Sequence, residues 1–448
     1  MKTKAAQIIV TVCSACLVFF QNAQAVSPPP DGGYPGGNTG EGQGALLSLT
    51  TGSFNTAVGF VSLRTITTAS FNTAIGAGTL LANTADENTA TGAGALLSNT
   101  SGNFNTANGA FALVNNIIGS SNTAIGDRAL LTNATGAYNT ATGADALMSN
   151  VAGSTNTADG ASALYSNTAG SFNTATGASA LAGNSTGGNN TADGAFALFQ
   201  NTTGNDNTAT GEIALNANTT GAGNTAIGFH ALTSNITGSA NTANGDGALT
   251  SNTSGNANTA LGAGAGAAGT TGDNNVYIGA GMNGVAGESN SCYIASIFGQ
   301  TSANGVPVLI NSNNKLGTAT SSKRFKEDIR PMDKVSEALL SLKPVTFRYK
   351  KEIDPARTRQ LGLVAEEVEK VSPDLIVRDK QGKPYSVRYD QVNAMLLNEF
   401  LKEHRTVMEL KNEIEALTAT VKEQSARIEK VSAEIETSKQ PSQVAQVR

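Results

Sequence analysis

Histidine and cysteine are scarce in this chain of 448 residues. The two histidines, His230 and His404, lie far apart in sequence and have no partner residues in a catalytic pattern. Cys13 and Cys16 lie near the N-terminus, and Cys292, in the apolar run Cys-Tyr-Ile-Ala, is predicted to be a buried structural thiol. These numbers leave no internal disulfide in the mature chain and no cluster of metal ligands. We therefore expect neither a cofactor nor a metal site.

Long apolar runs and basic patches are also missing. No segment beyond the N-terminal region has 18 apolar residues in a row, which excludes a membrane-spanning helix by this criterion. Residues 1–320 hold 5 basic and 13 acidic side chains, and residues 321–448 hold 24 and 21. Neither part concentrates basic and aromatic residues together, so nucleic acid is not a predicted partner. The repeated Gly-Gly-x-Gly-x-Asp of calcium-binding β-rolls is absent as well.

The N-terminal part of the chain contains two segments that we expect to lie outside the repeats. Lys2 and Lys4 precede an apolar stretch over residues 8–20, and Ala23-Gln24-Ala25 follows as a small-x-small cleavage sequence. This pattern predicts a signal peptide over residues 1–25, and therefore an exported protein that is secreted or held at the cell surface. Residues 26–54 are rich in proline and glycine, and we predict a flexible linker there.

A 17-residue repeat occupies residues 55–274. Asn-Thr-Ala recurs every 17 residues, except for a step of 16 residues from Asn72 to Asn88. Its asparagine stands at positions 55, 72, 88, 105, 122, 139, 156, 173, 190, 207, 224, 241 and 258. The consensus is Asn-Thr-Ala-x-Gly-x-x-Ala-Leu-x-x-Asn-x-x-Gly-x-x, with a degenerate copy at Asn275. A unit of this length with two glycine turns predicts one coil of a β-solenoid or β-roll, and hence a mostly β chain.

Each repeat position has an expected role. The invariant fifth glycine predicts a positive φ or a close backbone approach. The Ala-Leu pair supplies most of the apolar core, and the asparagines at positions one and twelve are predicted to stack from coil to coil. The variable fourth position is predicted to face outward. So thin a core favours three rods side by side, that is, a homotrimer. Short β-branched and aromatic runs in residues 275–320 predict a β-rich neck.

The C-terminal region changes to a charged, helical composition. A heptad pattern over residues 401–437 predicts a coiled coil on a helix that begins near Asp390, and its members are Val407, Leu410, Ile414, Leu417, Val421, Gln424, Ile428, Val431 and Ile435. The residue types at these positions leave a dimer and a trimer open. Residues 438–448 are predicted to be a disordered tail.

Ser321 and Lys326 stand at the boundary between these two compositions. A neutral lysine can act as general base for a serine hydroxyl, so the pair suggests a chain that cuts itself at this point. The pair belongs to the run Ser321-x-x-Arg324-x-Lys326, which precedes a helix-like stretch over residues 332–342, a strand-like stretch over residues 344–349 and the segment Gly-Leu-Val-Ala-Glu-Glu-Val at residues 362–368.

These blocks resemble the S74 self-cleaving family, the intramolecular chaperone domain of endosialidase-type phage tailspikes and tail fibres. The resemblance covers residues 321–400 and the helical tail to residue 437, and it implies a small α+β chaperone domain and a trimer. It implies cleavage between Thr320 and Ser321, with Ser321 as nucleophile and Lys326, partly buried, as general base. Arg324 is expected to orient the loop or to stabilise the oxyanion.

The repeats are loosely similar to the head repeats of trimeric surface adhesins, which implies binding to a host-surface glycan or matrix. Three classes therefore stay open: a self-processing trimeric fibre, a surface adhesin or spacer that keeps its C-terminal domain as a permanent clamp, and an enzyme with its chemistry in the rod. The third has the weakest basis, because the repeats lack clustered acids, histidines or aromatic residues.

Overall fold

The computed structural model describes residues 34–300 and 302–439, and these fall into two compact units that divide after Gln300. The predicted signal peptide, the first part of the predicted linker and the predicted tail beyond Lys439 lie outside the described residues. The first unit contains the repeats. The second contains the α+β segment and the long C-terminal helix.

The first unit is a β-solenoid with one short parallel strand per coil. Sixteen strands form a single sheet in sequence order, and neighbouring strands pair with equivalent repeat positions opposite each other, as in Thr123 against Thr140. The predicted solenoid of 17-residue repeats is therefore confirmed. The strands are β1 (Thr39–Glu41), β2 (Thr56–Val58), β3 (Thr73–Ile75), β4 (Thr89–Thr91), β5 (Thr106–Asn108), β6 (Thr123–Ile125), β7 (Thr140–Thr142), β8 (Thr157–Asp159), β9 (Thr174–Thr176), β10 (Thr191–Asp193), β11 (Thr208–Thr210), β12 (Thr225–Ile227), β13 (Thr242–Asn244), β14 (Thr259–Leu261), β15 (Val276–Ile278) and β16 (Cys292–Ile294).

Each coil buries small apolar groups and amides. In β6 the central Ala124 is fully buried, while the fourth-position Ile125 is 43% exposed, as predicted for the variable position. Ala129 and Leu130, the Ala-Leu pair of that coil, are also fully buried. Because side chains alternate across a strand, only one residue of each three-residue strand reaches the core. The core is therefore a column of alanine, leucine and asparagine along the rod.

The fifth-position glycine meets both of the predicted conditions. Gly126 has φ +135°, and a Cβ built on it would lie 2.4 Å from the carbonyl oxygen of Gly143 in the next coil. No other residue fits such a place. The sequence did not predict that the buried leucine also has a positive φ, which is 52° at Leu130 and Leu147. Packing of the leucine into the core offsets the conformational cost, about 1 kcal/mol per residue.

The solenoid extends beyond the predicted repeat boundaries at both ends. Strand β1 lies within residues 26–54 and pairs with β2, so the prediction of a flexible linker is wrong for its described part, residues 34–54. Glycine there serves the turns of a coil, as it does in the repeats. At the other end β15 and β16 continue the same sheet into the predicted neck. Tyr277 and Tyr293 stack there at 5.7 Å in place of the strand alanines, and Cys292 is exposed rather than buried, because its side chain is on the outer face.

The second unit is a small α+β domain followed by a long helix. Its strands form three antiparallel hairpins: β17 (Val308–Ile310) with β18 (Leu316–Thr318), β19 (Val345–Phe347) with β20 (Gln360–Gly362), and β21 (Ile376–Arg378) with β22 (Pro384–Val387). The α-helices are α1 (Ala365–Val371) and α2 (Tyr389–Ser438), and 3₁₀ helices span Lys323–Phe325, Asp333–Ser341 and Pro373–Leu375. The predicted helix from about Asp390 is confirmed as α2.

A compact core joins α1, the β21–β22 hairpin and the first turns of α2. Val368, Leu375, Ile376, Val387 and Met395 are buried together. From Glu403 onward α2 is exposed along its whole length. Within residues 34–300 and 302–439, no helix combines the length and apolar character needed to cross a membrane.

Candidate active site

A short 3₁₀ turn brings Ser321 and Lys326 together. The turn Lys323–Phe325 is closed by hydrogen bonds from the Phe325 amide to the Ser322 carbonyl at 3.0 Å and from the Lys326 amide to the Lys323 carbonyl at 3.1 Å. Because such a helix has about three residues per turn, it folds the chain back within one turn. Lys326 Nζ consequently donates a hydrogen bond to Ser321 Oγ at 3.2 Å.

Both side chains of this pair are exposed, and so is Thr320. The partial burial expected for Lys326 is therefore not found within the single chain, since residues 321–331 pass over the surface without a covering element. Ser321 and Lys326 line an open depression together with Lys323, Asp328 and Ile329. The pair has hydrogen-bonding geometry, but solvent still reaches both members.

Arg324 lies in the turn itself. Its guanidinium carbon is 4.6 Å from the centroid of the Phe325 ring, a cation–π contact between neighbours. The expected role of Arg324 in orienting the loop stays a prediction. Among the described hydrogen bonds, none joins Arg324 to Ser321 or Thr320. No contact in the described residues therefore supports the alternative role of Arg324 in stabilising an oxyanion.

A buried polar cluster that we did not predict lies in the same unit. Ser336 is fully buried, and its hydroxyl contacts Glu399 Oε1 at 2.5 Å, Asn398 Nδ2 at 2.6 Å and Lys402 Nζ at 3.4 Å. These bonds fasten the 3₁₀ helix Asp333–Ser341 to α2. The hydrogen bond from Lys402, and then that from Ser336, lower the pKa of Glu399 below its ordinary value. Lys402 has its pKa raised, chiefly by the hydrogen bond to Glu399, which favours the protonated amine.

The spacing of Asn398, Glu399 and Lys402 places them on one face of a helix, which is a visible signal in the sequence. Their partner Ser336 is distant along the chain, however, and nothing in the sequence pairs it with them. Only the packing of the 3₁₀ helix against α2 brings the four residues together.

The predicted heptad positions of α2 form an exposed apolar stripe. Their aliphatic members are each at least 50% exposed, and they are Val407, Leu410, Ile414, Leu417, Val421, Ile428, Val431 and Ile435. An isolated helix with such a stripe leaves a large apolar surface in water. The part of the chain that the structure describes offers nothing to cover it.

Metal chemistry has no ligand set in the described part of the chain, which contains no group of three or more histidine, cysteine, aspartate or glutamate residues placed to hold an ion. Comparison with known proteins shows no significant match to a curated protein or to a solved structure. Residues 321–377 match the family model of peptidase S74, described as chaperone of endosialidase. This match begins at Ser321, the serine of the candidate pair.

Proposed function

We propose that the C-terminal unit is an intramolecular trimerisation chaperone, which assembles an exported fibre and then removes itself by one self-cleavage between Thr320 and Ser321. The observation that carries the proposal is the 3.2 Å contact between Lys326 Nζ and Ser321 Oγ, at the first residue of the S74 match. The protein would act as a serine endopeptidase on its own chain, for a single turnover. Export rests on the signal-peptide pattern of residues 1–25.

Self-association is supported by the exposed stripe of α2. Burying a large aliphatic side chain contributes roughly 1.5–3 kcal/mol, so the stripe on each chain is a strong drive for α2 helices to pair. The S74 match and the thin rod core favour three chains over two. Pairing between repeats of different chains is non-local and slow to start. A C-terminal clamp raises the effective concentration of the rods and lowers this entropic cost.

The proposed chemistry is acyl transfer within the chain. Ser321 Oγ attacks the carbonyl carbon of Thr320, and neutral Lys326 accepts the hydroxyl proton. The Thr320–Ser321 amide bond breaks as the amide nitrogen takes up a proton, which leaves an ester between Thr320 and Ser321 Oγ. Water hydrolyses that ester and releases a chain that begins at Ser321. A neighbouring chain that covers residues 321–331 would favour the neutral amine by excluding water, and cleavage would then follow assembly.

The second candidate is an uncleaved surface adhesin or spacer with the C-terminal unit as a permanent clamp. The exposure of Ser321 and Lys326 favours it, because a solvated lysine is a poor base for a serine hydroxyl. In this candidate the stripe on α2 still joins the chains, but no bond is broken. The two candidates differ in a single measurable quantity, the mass of the mature chain.

The experiment is intact-mass analysis of the purified protein and of Ser321→Ala, Lys326→Ala and Lys323→Ala variants. We expect two fragments that divide between Thr320 and Ser321 in the wild type and in Lys323→Ala, whose lysine lies in the same depression but outside the pair. The other two variants should remain whole. A single full-length mass in all four proteins would overturn self-cleavage and support the permanent clamp.

A further inference from the structure

The repeats carry a row of exposed aromatic side chains, which lies outside the proposed cleavage site and outside the stripe of α2. Phe104, Tyr138 and Phe172 occupy the last position of alternate repeats, and they are 57%, 68% and 64% exposed. We call these three residues the aromatic ridge. Exposed aromatic rings of this number on a soluble rod indicate a binding surface, because each leaves a large apolar face in water.

The ridge runs from coil to coil, because equivalent repeat positions stack in register. Tyr138 donates its backbone amide to the Ser120 carbonyl at 3.0 Å, and Phe172 makes the equivalent bond to Ser154 at 3.1 Å. Two coils separate neighbouring members, which gives a spacing of about 10 Å at the usual distance between strands. Further towards the N-terminus, Phe54 and Phe71 occupy the same position in adjacent coils and stack at 5.2 Å, so rings at this position do project along one line.

Hydroxyl groups accompany each ring of the ridge. Thr106, Thr140 and Thr174 each follow a ridge residue by two positions, and all three are exposed on the outer face of their strands. Their hydroxyls take part in none of the hydrogen bonds found among the described residues, so they are available to a ligand. Between the rings, the same repeat position holds the small polar residues Ser121 and Thr155.

Basic side chains are missing from this surface, and the charged residues beside it are acidic, namely Glu87 at the ridge position one coil before Phe104 and Asp159 on the outer face of its strand. The last two and first two positions of the repeats from residue 103 to residue 174 contain only phenylalanine, tyrosine, asparagine, serine, threonine and alanine. A ligand that depends on ion pairs, such as a nucleic acid or an acidic polymer, would find no counter-charge there. The surface suits a neutral ligand with both apolar faces and many hydroxyl groups.

We propose that the aromatic ridge binds an extended neutral polysaccharide along the axis of the rod. Sugar rings present C–H faces that pack on aromatic rings, and their hydroxyls bond to threonine and serine side chains. The spacing of about 10 Å is on the scale of a disaccharide unit, so one chain can stack alternate sugars on successive ridge residues. A protein partner is less well matched, because Ser121 and Thr155 interrupt the contiguous apolar patch that protein interfaces centre on.

The proposal does not depend on trimerisation or cleavage, and the chain supplies conservative variants to test it. Ala240 and Ala257 occupy the ridge position in later repeats with φ 57° and 55°, so alanine fits this backbone. The test protein is full-length Phe104→Ala/Tyr138→Ala/Phe172→Ala. The control is Phe111→Ser/Phe196→Ser/Phe229→Ala, which removes three exposed phenylalanines from other repeat positions. Ser162 and Ala161 show that those positions accept the new residues.

Affinity electrophoresis in gels that contain hydroxyethylcellulose, a β-1,3-glucan or a galactomannan measures the binding, and light scattering of each protein measures the assembly. We expect the wild type and the control to be retarded by at least one of the three polymers, with retention at least about tenfold weaker in the ridge variant. Absence of retardation of the wild type by all three polymers would overturn the proposal. Equal losses of retardation in the ridge variant and the control would also overturn it. So would a change of oligomeric mass in the ridge variant alone, because that result would assign the ridge to contact between chains.

Discussion

Asn139 donates a hydrogen bond from Nδ2 to Oδ1 of Asn122, one coil earlier in the rod, over 3.1 Å. The same Nδ2 also donates to the carbonyl of Gly153, position fifteen of its own repeat, at 2.9 Å. Each first-position asparagine therefore joins three coils, and its own Oδ1 accepts from Asn156. A second ladder runs through position twelve, where Asn150 donates to Asn133 at 2.7 Å. The buried amides hold neighbouring coils in register, because every one of them is satisfied only when the next coil is in place.

Removal of one ladder amide should destabilise the rod. In Asn139→Ala, Asn122 Oδ1, the Gly153 carbonyl and the Asn156 amide lose a buried partner. We expect a loss of roughly 2–4 kcal/mol in the free energy of unfolding, seen as a lower urea midpoint. Asn244→Ala, at an exposed fourth position, is the control and should change the midpoint little. Equal midpoints for the two variants would contradict a structural role for the ladder.

Two glycines with positive φ should respond very differently to alanine. In Gly126→Ala the new Cβ would lie 2.4 Å from the Gly143 carbonyl oxygen, so the coils must separate, and we expect a loss above about 3 kcal/mol. Gly247 has φ +63° with open space around its Cα, so Gly247→Ala should cost only about 1 kcal/mol. Urea unfolding of both variants, monitored by circular dichroism, measures the two losses of stability. A larger loss in Gly247→Ala would show that backbone conformation matters more here than the close approach of coils.

Stability of the C-terminal unit should depend on Glu399 at acid pH. The pKa of Glu399 is lowered by the hydrogen bond from Lys402 and then that from Ser336, so the folded state binds its proton less readily than the unfolded state. The stabilising contribution is therefore present above the unfolded pKa, near 4.5, and is lost as the pH falls through the lowered folded value. We expect Glu399→Gln to melt at a lower temperature than the wild type at pH 7, and the difference to shrink by pH 3.

The matched control for that experiment is Glu409→Gln on the exposed part of α2. Its melting temperature should follow that of the wild type from pH 7 to pH 3. A difference between wild type and Glu399→Gln that stays constant over this range would mean that the carboxylate charge contributes nothing, and that the substitution acts through packing alone.

A charge within the apolar stripe of α2 should separate the chains. Ile414 is 61% exposed in the single chain, and its burial between helices would leave an aspartate without a partner. We expect Ile414→Asp to shift the mass measured by light scattering from that of three chains towards that of one. Ala419→Asp, on the opposite side of the predicted heptad, should keep the assembled mass. A wild-type mass of two chains would contradict the trimer and leave the clamp as a dimer.

The rod shows how far a sequence repeat can predict a fold. Thirteen copies of Asn-Thr-Ala at a nearly constant spacing indicate the solenoid, the inward alanine and the asparagine ladders, because each coil meets only copies of itself. The coil that contains Thr39–Glu41 was not predicted, because Gly40 replaces the alanine of Asn-Thr-Ala, although Gly42 and the pair Ala45-Leu46 match the consensus. The positive φ of Leu130 and Leu147 was not predicted either, because leucine rarely adopts a positive φ and only core packing favours it here.

At the candidate active site the local features follow from the order of residues. Ser321, Lys326 and the 3₁₀ turn between them are neighbours along the chain, so the contact between the two side chains depends on local structure alone. The exposure of that pair, and the burial of Ser336 against Asn398, Glu399 and Lys402, come from the packing of the folded unit. Burial depends on which distant segment packs over a residue, and short-range spacing carries no information on that.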